Sequence, residues 1–173
     1  IQTGIGRTGT LFAYEHYGVQ PDVMTLAKGL GGGVPIGACI ATDTVAQAFG
    51  PGSHGSTFGG NPLSCAASLA VLHVLLDSQL LDKVQMVGSY LKKGLEELQN
   101  RFPIIRQVRG RGLLQGIELS IDGKSIVQDC LNRNVLINCT MERVLRFIPP
   151  LIVSKKEIDR LLKVLSDVLI KRL

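Results

Sequence analysis

The chain has no tryptophan, and aromatic residues make up only 5% of its 173 positions. A nucleic-acid surface built on stacked aromatic side chains is therefore not written into it. Charged residues are also sparse, at 19% against 45% apolar. That balance excludes a disordered, highly charged chain and leaves enough apolar surface for a buried core. The longest apolar run, Pro62–Leu76, falls short of the ~18 residues of a membrane-spanning helix. The four cysteines (Cys39, Cys65, Cys130 and Cys139) form no C-x-x-C pair and no metal-ligand spacing. Free and mostly buried thiols in a reducing compartment are expected, rather than a disulfide framework. The expectation is a cytoplasmic protein whose partners are neither nucleic acid nor membrane.

What is present divides into two zones. Residues 1–77 carry two basic and four acidic side chains, with 14 of the 20 glycines before residue 61. Residues 78–173 hold the other 17 Lys/Arg and 10 Asp/Glu, a net of +7. In the first zone short apolar strands are expected at Val23–Leu26 and Ile36–Ala41, between glycine-rich loops. A helix is expected from Pro62, which suits a first helical turn, to about Leu76. It is apolar on nearly all sides, which predicts burial on most faces. In the second zone Leu80, Val84, Val87, Leu91, Leu95, Leu98 and Phe102 recur at helical spacing. Strands follow at Ile104–Val108, Leu113–Leu119, Val135–Asn138 and Val144–Phe147, with a helix over Lys124–Asn132. A last helix starts at the capping pattern Ser154-x-x-Glu157. The fold class is α/β, with a smaller α+β domain at the C-terminal end.

Several residues could carry chemistry. Gly4-x-Gly6-x-x-Gly9 matches a dinucleotide fingerprint, but no acidic residue ends a second strand beyond it, so an ordinary turn is the better reading. Lys28 is the only lysine before Lys83. It ends an apolar strand and precedes a run of glycines. A lysine buried there has to be paired, neutral or chemically used, and a neutral amine can form a Schiff base or shuttle a proton. A lysine snorkelling from the strand end is the bland alternative. Ser53–Pro62 is rich in Gly, Ser and Thr and leads into a helix, a setting that suits a phosphate; an ordinary glycine-rich loop fits equally well. His73, on the apolar helix, reads as a core histidine. Arg146 interrupts the apolar run Val144–Pro150. Its fork fits a carboxylate ligand, or an ion pair with Glu142 or Glu118.

The order of these features (lone Lys before glycines, Gly-Ser-Thr loop, Arg before Pro-Pro) resembles the class III aminotransferases, fold-type I enzymes that use pyridoxal 5′-phosphate. The resemblance runs along the whole chain. It includes Ile1-Gln2-Thr3-Gly4, Pro21-Asp22-x-x-Thr25-x-Ala27-Lys28-Gly29, Gly55-Ser56-Thr57-Phe58-Gly59-Gly60-Asn61-Pro62, Val108-Arg109-Gly110-x-Gly112-Leu113 and Leu145-Arg146-Phe147-x-Pro149-Pro150. Phe12–Val19 and Asn134–Asn138 look like the branch that takes N2-acetylornithine as amino donor in arginine biosynthesis, more than the branches acting on ornithine or 4-aminobutyrate.

The resemblance implies roles. Lys28 matches the lysine that holds the cofactor covalently and, once released, moves a proton on the substrate. Gln2 matches a glutamine beside the cofactor's ring oxygen. Ser56 and Thr57 match a phosphate-binding pair that reaches into the partner subunit's site, which implies a homodimer with shared active sites. Arg146 matches the arginine that clamps the substrate carboxylate, with a small-molecule amino donor and 2-oxoglutarate as the reacting partners. It also implies that residues 1–77 are the end of a large cofactor domain and residues 78–173 a small C-terminal domain. Other parts of the family's pocket have no counterpart here. A C-terminal portion of a longer protein, inactive alone, is therefore expected. A non-catalytic truncated paralogue is the competing reading, and retention of Lys28, Thr57 and Arg146 argues against it.

Overall fold

The structure, a computed structural model, describes residues 1–172. It divides into two units, Ile1–Leu81 and Asp82–Leu173.

The first unit contains β1 (Val23–Leu26) and β2 (Ala38–Ala41), paired antiparallel with Val23 opposite Ala41 and Leu26 opposite Ala38. A short helix α1 (Asp43–Ala46) follows, and then α2 (Pro62–Asp77). Gly4–Gly9 forms turns, with Gly6 and Gly9 at positive φ, and the helix that follows is a short 3₁₀ stretch, Ala13–Tyr17. This is the plain turn expected, not a dinucleotide fingerprint.

Helix α2 is less buried than its composition predicts. Only Ser64, Ser68 and Leu75 are buried, while Leu63, Leu69, Val74 and Leu76 are each more than half exposed. The buried stripe of the helix is narrow, made of Ser64, Ser68 and Leu75, and apolar side chains on its other faces are exposed. His73 is likewise exposed rather than part of a core.

The second unit is built on α3 (Leu80–Arg101), β3 (Ile105–Arg111), β4 (Leu114–Leu119), α4 (Lys124–Leu131), β5 (Asn138–Thr140), β6 (Val144–Phe147) and α5 (Lys155–Ile170). Its sheet is antiparallel throughout, in the order β3-β4-β6-β5. β5 starts at Asn138, later than the apolar run from Val135 suggests. Val135 donates its N–H to the Cys130 carbonyl (3.0 Å), which spends that stretch closing α4.

The core lies on one face of this sheet. Val84, Leu91 and Leu95 of α3 are fully buried with Ile117, Leu119, Leu145, Ile126 and Leu165. Each such aliphatic side chain contributes roughly 1.5–3 kcal/mol on burial. Two glycines let the helices approach. A Cβ on Gly88 would lie 2.5 Å from the carbonyl carbon and oxygen of Gly112 in the β3–β4 turn, and one on Gly94 would overlap the Leu162 methyls. α5 begins as its sequence predicts, with the Glu157 carboxylate accepting from the Ser154 N–H (2.9 Å) and hydroxyl. At its other end Arg172 donates to Asp129 of α4 at 2.7 Å and to the Val168 carbonyl at 2.6 Å.

Candidate active site

Lys28 stands at the exit of β1, where the chain enters a 3₁₀ turn over Lys28–Gly31. Its φ is +50°, a left-handed conformation that a non-glycine residue adopts only when its surroundings impose it. It is exposed, contrary to the expectation of a buried amine. The reason is the thinness of the first unit. β1 pairs only with β2, and Val23 and Ile40 on that ribbon are themselves nearly half exposed. Among the described residues Lys28 has no hydrogen bond and no ion pair. The amine is therefore uncommitted among the described residues.

The glycines after Lys28 serve packing. A Cβ on Gly32, which has φ +60°, would sit 2.9 Å from Val71 of α2, so only glycine lets the turn lie against that helix. The Ser64 hydroxyl of α2 donates to the Pro35 carbonyl at 3.1 Å. Helix α2 thus holds the end of the Lys28 loop.

The same helix start holds the second loop. Asn61 caps α2, its Oδ1 accepting from the Ser64 N–H at 2.9 Å. Its Nδ2 donates to the Phe58 carbonyl (2.9 Å) and to Ser64 Oγ (3.1 Å). Ser56 folds over Gly59, where a Cβ would lie 2.9 Å from the serine Cβ and Oγ. Gly50 through Gly60 are all exposed, and among the described residues Ser56 and Thr57 make no hydrogen bond. Their hydroxyls and amides are free donors next to a helix N-terminus, which is what an anion needs. Asn61 and Ser64, which tie the two loops to one helix end, were not singled out in the sequence. The Asn-Pro helix start followed two residues later by Ser was the available signal. Gln2 is exposed near the chain start.

Arg146 lies in the second unit, on β6, opposite Gly116 of β4 and Asn138 of β5. It is half-buried. With Leu136, Asn138, Ile148 and Leu161 it lines a cavity of about 350 Å³. Glu118, a candidate partner from the sequence, is taken by Arg109 at 2.5 Å. That hydrogen bond holds the Glu118 carboxyl below its ordinary range.

The thiols are less sheltered than their apolar neighbours suggest. Cys39 is exposed, Cys65 and Cys139 are half-buried, and only Cys130 is buried. Burial pushes the Cys130 thiol up to about 11, with Asp129 adding to the effect. No single helix among the described residues is long and apolar enough to cross a membrane.

An α/β chain with a free lysine at a strand exit and an arginine on a separate four-stranded sheet has the architecture of a fold-type I transferase, here present in part. The family model for class-III aminotransferases matches residues 1–169, and the chain belongs to that family. It is 54% identical over 170 residues to the acetylornithine aminotransferase of Caldanaerobacter subterraneus subsp. tengcongensis, covering 98% of this chain and 43% of the relative. It is 51% identical over 168 residues to that of Methanocaldococcus jannaschii, covering 97% and 42%. Among solved structures it is similar to the ornithine aminotransferase of Toxoplasma gondii, described with partial occupancy of pyridoxal phosphate at its active site. There the TM-score is 0.92 at 39% identity, covering 99% of this chain and 41% of that one. The chain spans less than half the length of the curated relatives it matches.

Proposed function

We propose that this chain is part of a pyridoxal-phosphate-dependent aminotransferase that exchanges an amino group between N2-acetylornithine and 2-oxoglutarate. One observation carries the choice of donor. Identity above 50% extends along nearly the whole chain to enzymes named for that substrate. Similarity to an ornithine aminotransferase structure supports a second reading, with ornithine as donor, at lower identity.

The residues present fit the cofactor. Lys28 offers an uncommitted amine on an accessible strand exit. Ser56 and Thr57 offer unpaired donors for a phosphate, beside the N-terminus of α2. Gln2 would lie against the ring oxygen. When bound, the cofactor supplies an electron sink that stabilises negative charge at the substrate's Cα. This chain's own part is to anchor the cofactor through Lys28, to move a proton at Cα with the same amine once it is released, and to orient the substrate. Arg146 would orient it through a bidentate contact with the α-carboxylate.

In this reading residues 1–77 are the end of the large cofactor domain and residues 78–173 the small domain. The division after Leu81 supports that partition. The exposed Phe49, Phe58, Leu63 and Leu69 support a first unit covered by further chain and by a second protomer. Single-turnover spectroscopy of the full-length protein tests the proposal. N-acetylornithine should convert the cofactor to its amine form faster than ornithine, succinylornithine, N-succinyl-diaminopimelate or 4-aminobutyrate. Failure of N-acetylornithine to do so overturns the choice of donor.

A further inference from the structure

Each of the two loops in the first unit is held by a single hydrogen-bonding residue from beyond its own ends. The segment after Lys28 closes on itself in successive turns: Leu30 N–H to the Ala27 carbonyl (3.1 Å), Gly32 N–H to Gly29 (3.2 Å) and Val34 N–H to Gly31 (3.0 Å). Among the described residues, only Ser64 reaches this segment with a hydrogen bond from outside, its hydroxyl donating to the Pro35 carbonyl at 3.1 Å. The Ser56-Thr57 loop is held in the same way by Asn61, whose Nδ2 donates to the Phe58 carbonyl at 2.9 Å.

The two holding residues are bonded to each other. Asn61 Nδ2 carries two protons; one goes to Phe58 and the other to Ser64 Oγ at 3.1 Å. The single hydroxyl proton of Ser64 goes to Pro35, so Asn61 meets a lone pair. The donors therefore run in one direction, Asn61 to Ser64 to Pro35, and hydrogen bonds in such a chain polarise one another. Ser64 is only 6% exposed, so water competes little for its hydroxyl. Ser68, one turn further along the same buried stripe, differs: its Oγ has no hydrogen-bond partner among the described residues.

Lys28 needs such a hold. Its left-handed backbone persists only where the surroundings impose it. The contact of Gly32 with Val71 sets the turn against α2 but has no direction. The Ser64 bond is directional and ends on proline, whose φ is already fixed. We infer that Ser64 is a positioning residue for Lys28 and makes the two loops order together: a ligand that orders the phosphate loop also orders the turn that carries the lysine. The joint lies within one chain and acts in the same way whether the phosphate loop serves that chain's own site or the partner subunit's. This deepens the cofactor reading given above and rests on it.

The test uses the full-length protein freed of cofactor, with inorganic phosphate as the probe and hydrogen exchange read by mass spectrometry. In the wild type, phosphate should slow exchange in residues 53–60 and also, by about fivefold, in residues 29–36; fivefold is what one neutral hydrogen bond contributes to an equilibrium. Ser64→Ala keeps the Asn61 bonds to Phe58 and to the residue 64 amide. It should retain the slowing in 53–60, while that in 29–36 falls below twofold. Ser68→Ala removes the same group from the same stripe without breaking a hydrogen bond, and should respond as the wild type does. A double-mutant cycle asks whether Ser64 acts through Lys28. Ser64→Ala should weaken pyridoxal phosphate binding about fivefold when Lys28 is present and less than twofold in a Lys28→Ala background.

Equal slowing of 29–36 in wild type and Ser64→Ala, or loss of the response in Ser68→Ala as well, overturns the inference and leaves the cofactor reading standing. So does an equal loss of affinity in both backgrounds, which would make Ser64 merely structural. If phosphate slows nothing in 53–60 of the wild type, or Lys28→Ala binds the cofactor as tightly as the wild type, the cofactor reading itself fails and takes Ser64 with it.

Discussion

Asn61→Ala removes one side chain that serves two structures. The Oδ1 acceptor caps α2 through the Ser64 N–H, and Nδ2 fastens Phe58 and Ser64 Oγ. Loss of an N-cap costs about 1 kcal/mol. Each surface hydrogen bond from Nδ2 adds roughly 0.5 kcal/mol, the low end of the usual range. Together they come to about 2 kcal/mol, or roughly thirtyfold in the equilibrium between ordered and open loop. Every residue from Gly50 to Gly60 is exposed, so little else holds the loop in place. Cofactor affinity should therefore fall by up to about thirtyfold, since a ligand that binds only the ordered form is weakened by the fraction lost. Equilibrium dialysis of pyridoxal phosphate against the full-length protein measures this directly. Asn61→Ser separates the two parts. Its hydroxyl restores the cap but not the bond to Phe58, so α2 stability should recover while affinity recovers only partly. Unchanged affinity in Asn61→Ala, or full recovery in Asn61→Ser, would refute the argument that Asn61 holds the phosphate loop.

Three further outcomes follow. Gly88→Ala should destabilise the protein by about 3 kcal/mol, the upper end of overpacking costs, because the atoms it meets are Gly112 backbone and cannot rotate aside; urea unfolding reads this, and an unchanged midpoint would contradict it. In the 173-residue chain by itself Cys39 should be alkylated quickly at pH 8 and Cys130 last of the four, read by mass spectrometry over time, because one is exposed and the other buried with a raised pKa. The same thiol sets a sign for stability against pH. Its folded pKa of about 11 lies above the 9.0 of an unperturbed thiol, so its contribution is complete below pH 9 and is lost as pH rises toward 11. Cys130→Ala should flatten that part of the urea-midpoint profile, and a profile unchanged by the substitution would contradict the assignment.

The second unit was legible in the sequence because its periodicities are those of amphipathic elements. Val84, Val87, Leu91, Leu95 and Leu98 are all buried in α3 at the spacing that announces the helix, and the Ser154–Glu157 box starts α5. The first unit was legible in its motifs but not in its burial. Lys28, the Ser56-Thr57 loop and the start of α2 fall where the residues put them. The exposure of Lys28, His73 and Leu63 could not be read from composition, since apolar neighbours predict cover without saying whether this chain supplies it. The positions that order the site left weaker traces. Asn61 acts through hydrogen bonds within its own turn, and Ser64 through one to Pro35, distant in sequence, which no local pattern announces.

Everything in the functional reading depends on the Lys28 amine carrying the cofactor. Borohydride reduction of the full-length protein, followed by digestion and peptide mass mapping, tests it most directly. The account predicts a single pyridoxyl-phosphate adduct on the peptide containing Thr25–Gly33, at Lys28, and none in Lys28→Ala. An adduct on another lysine, or none on the reduced protein, would contradict it.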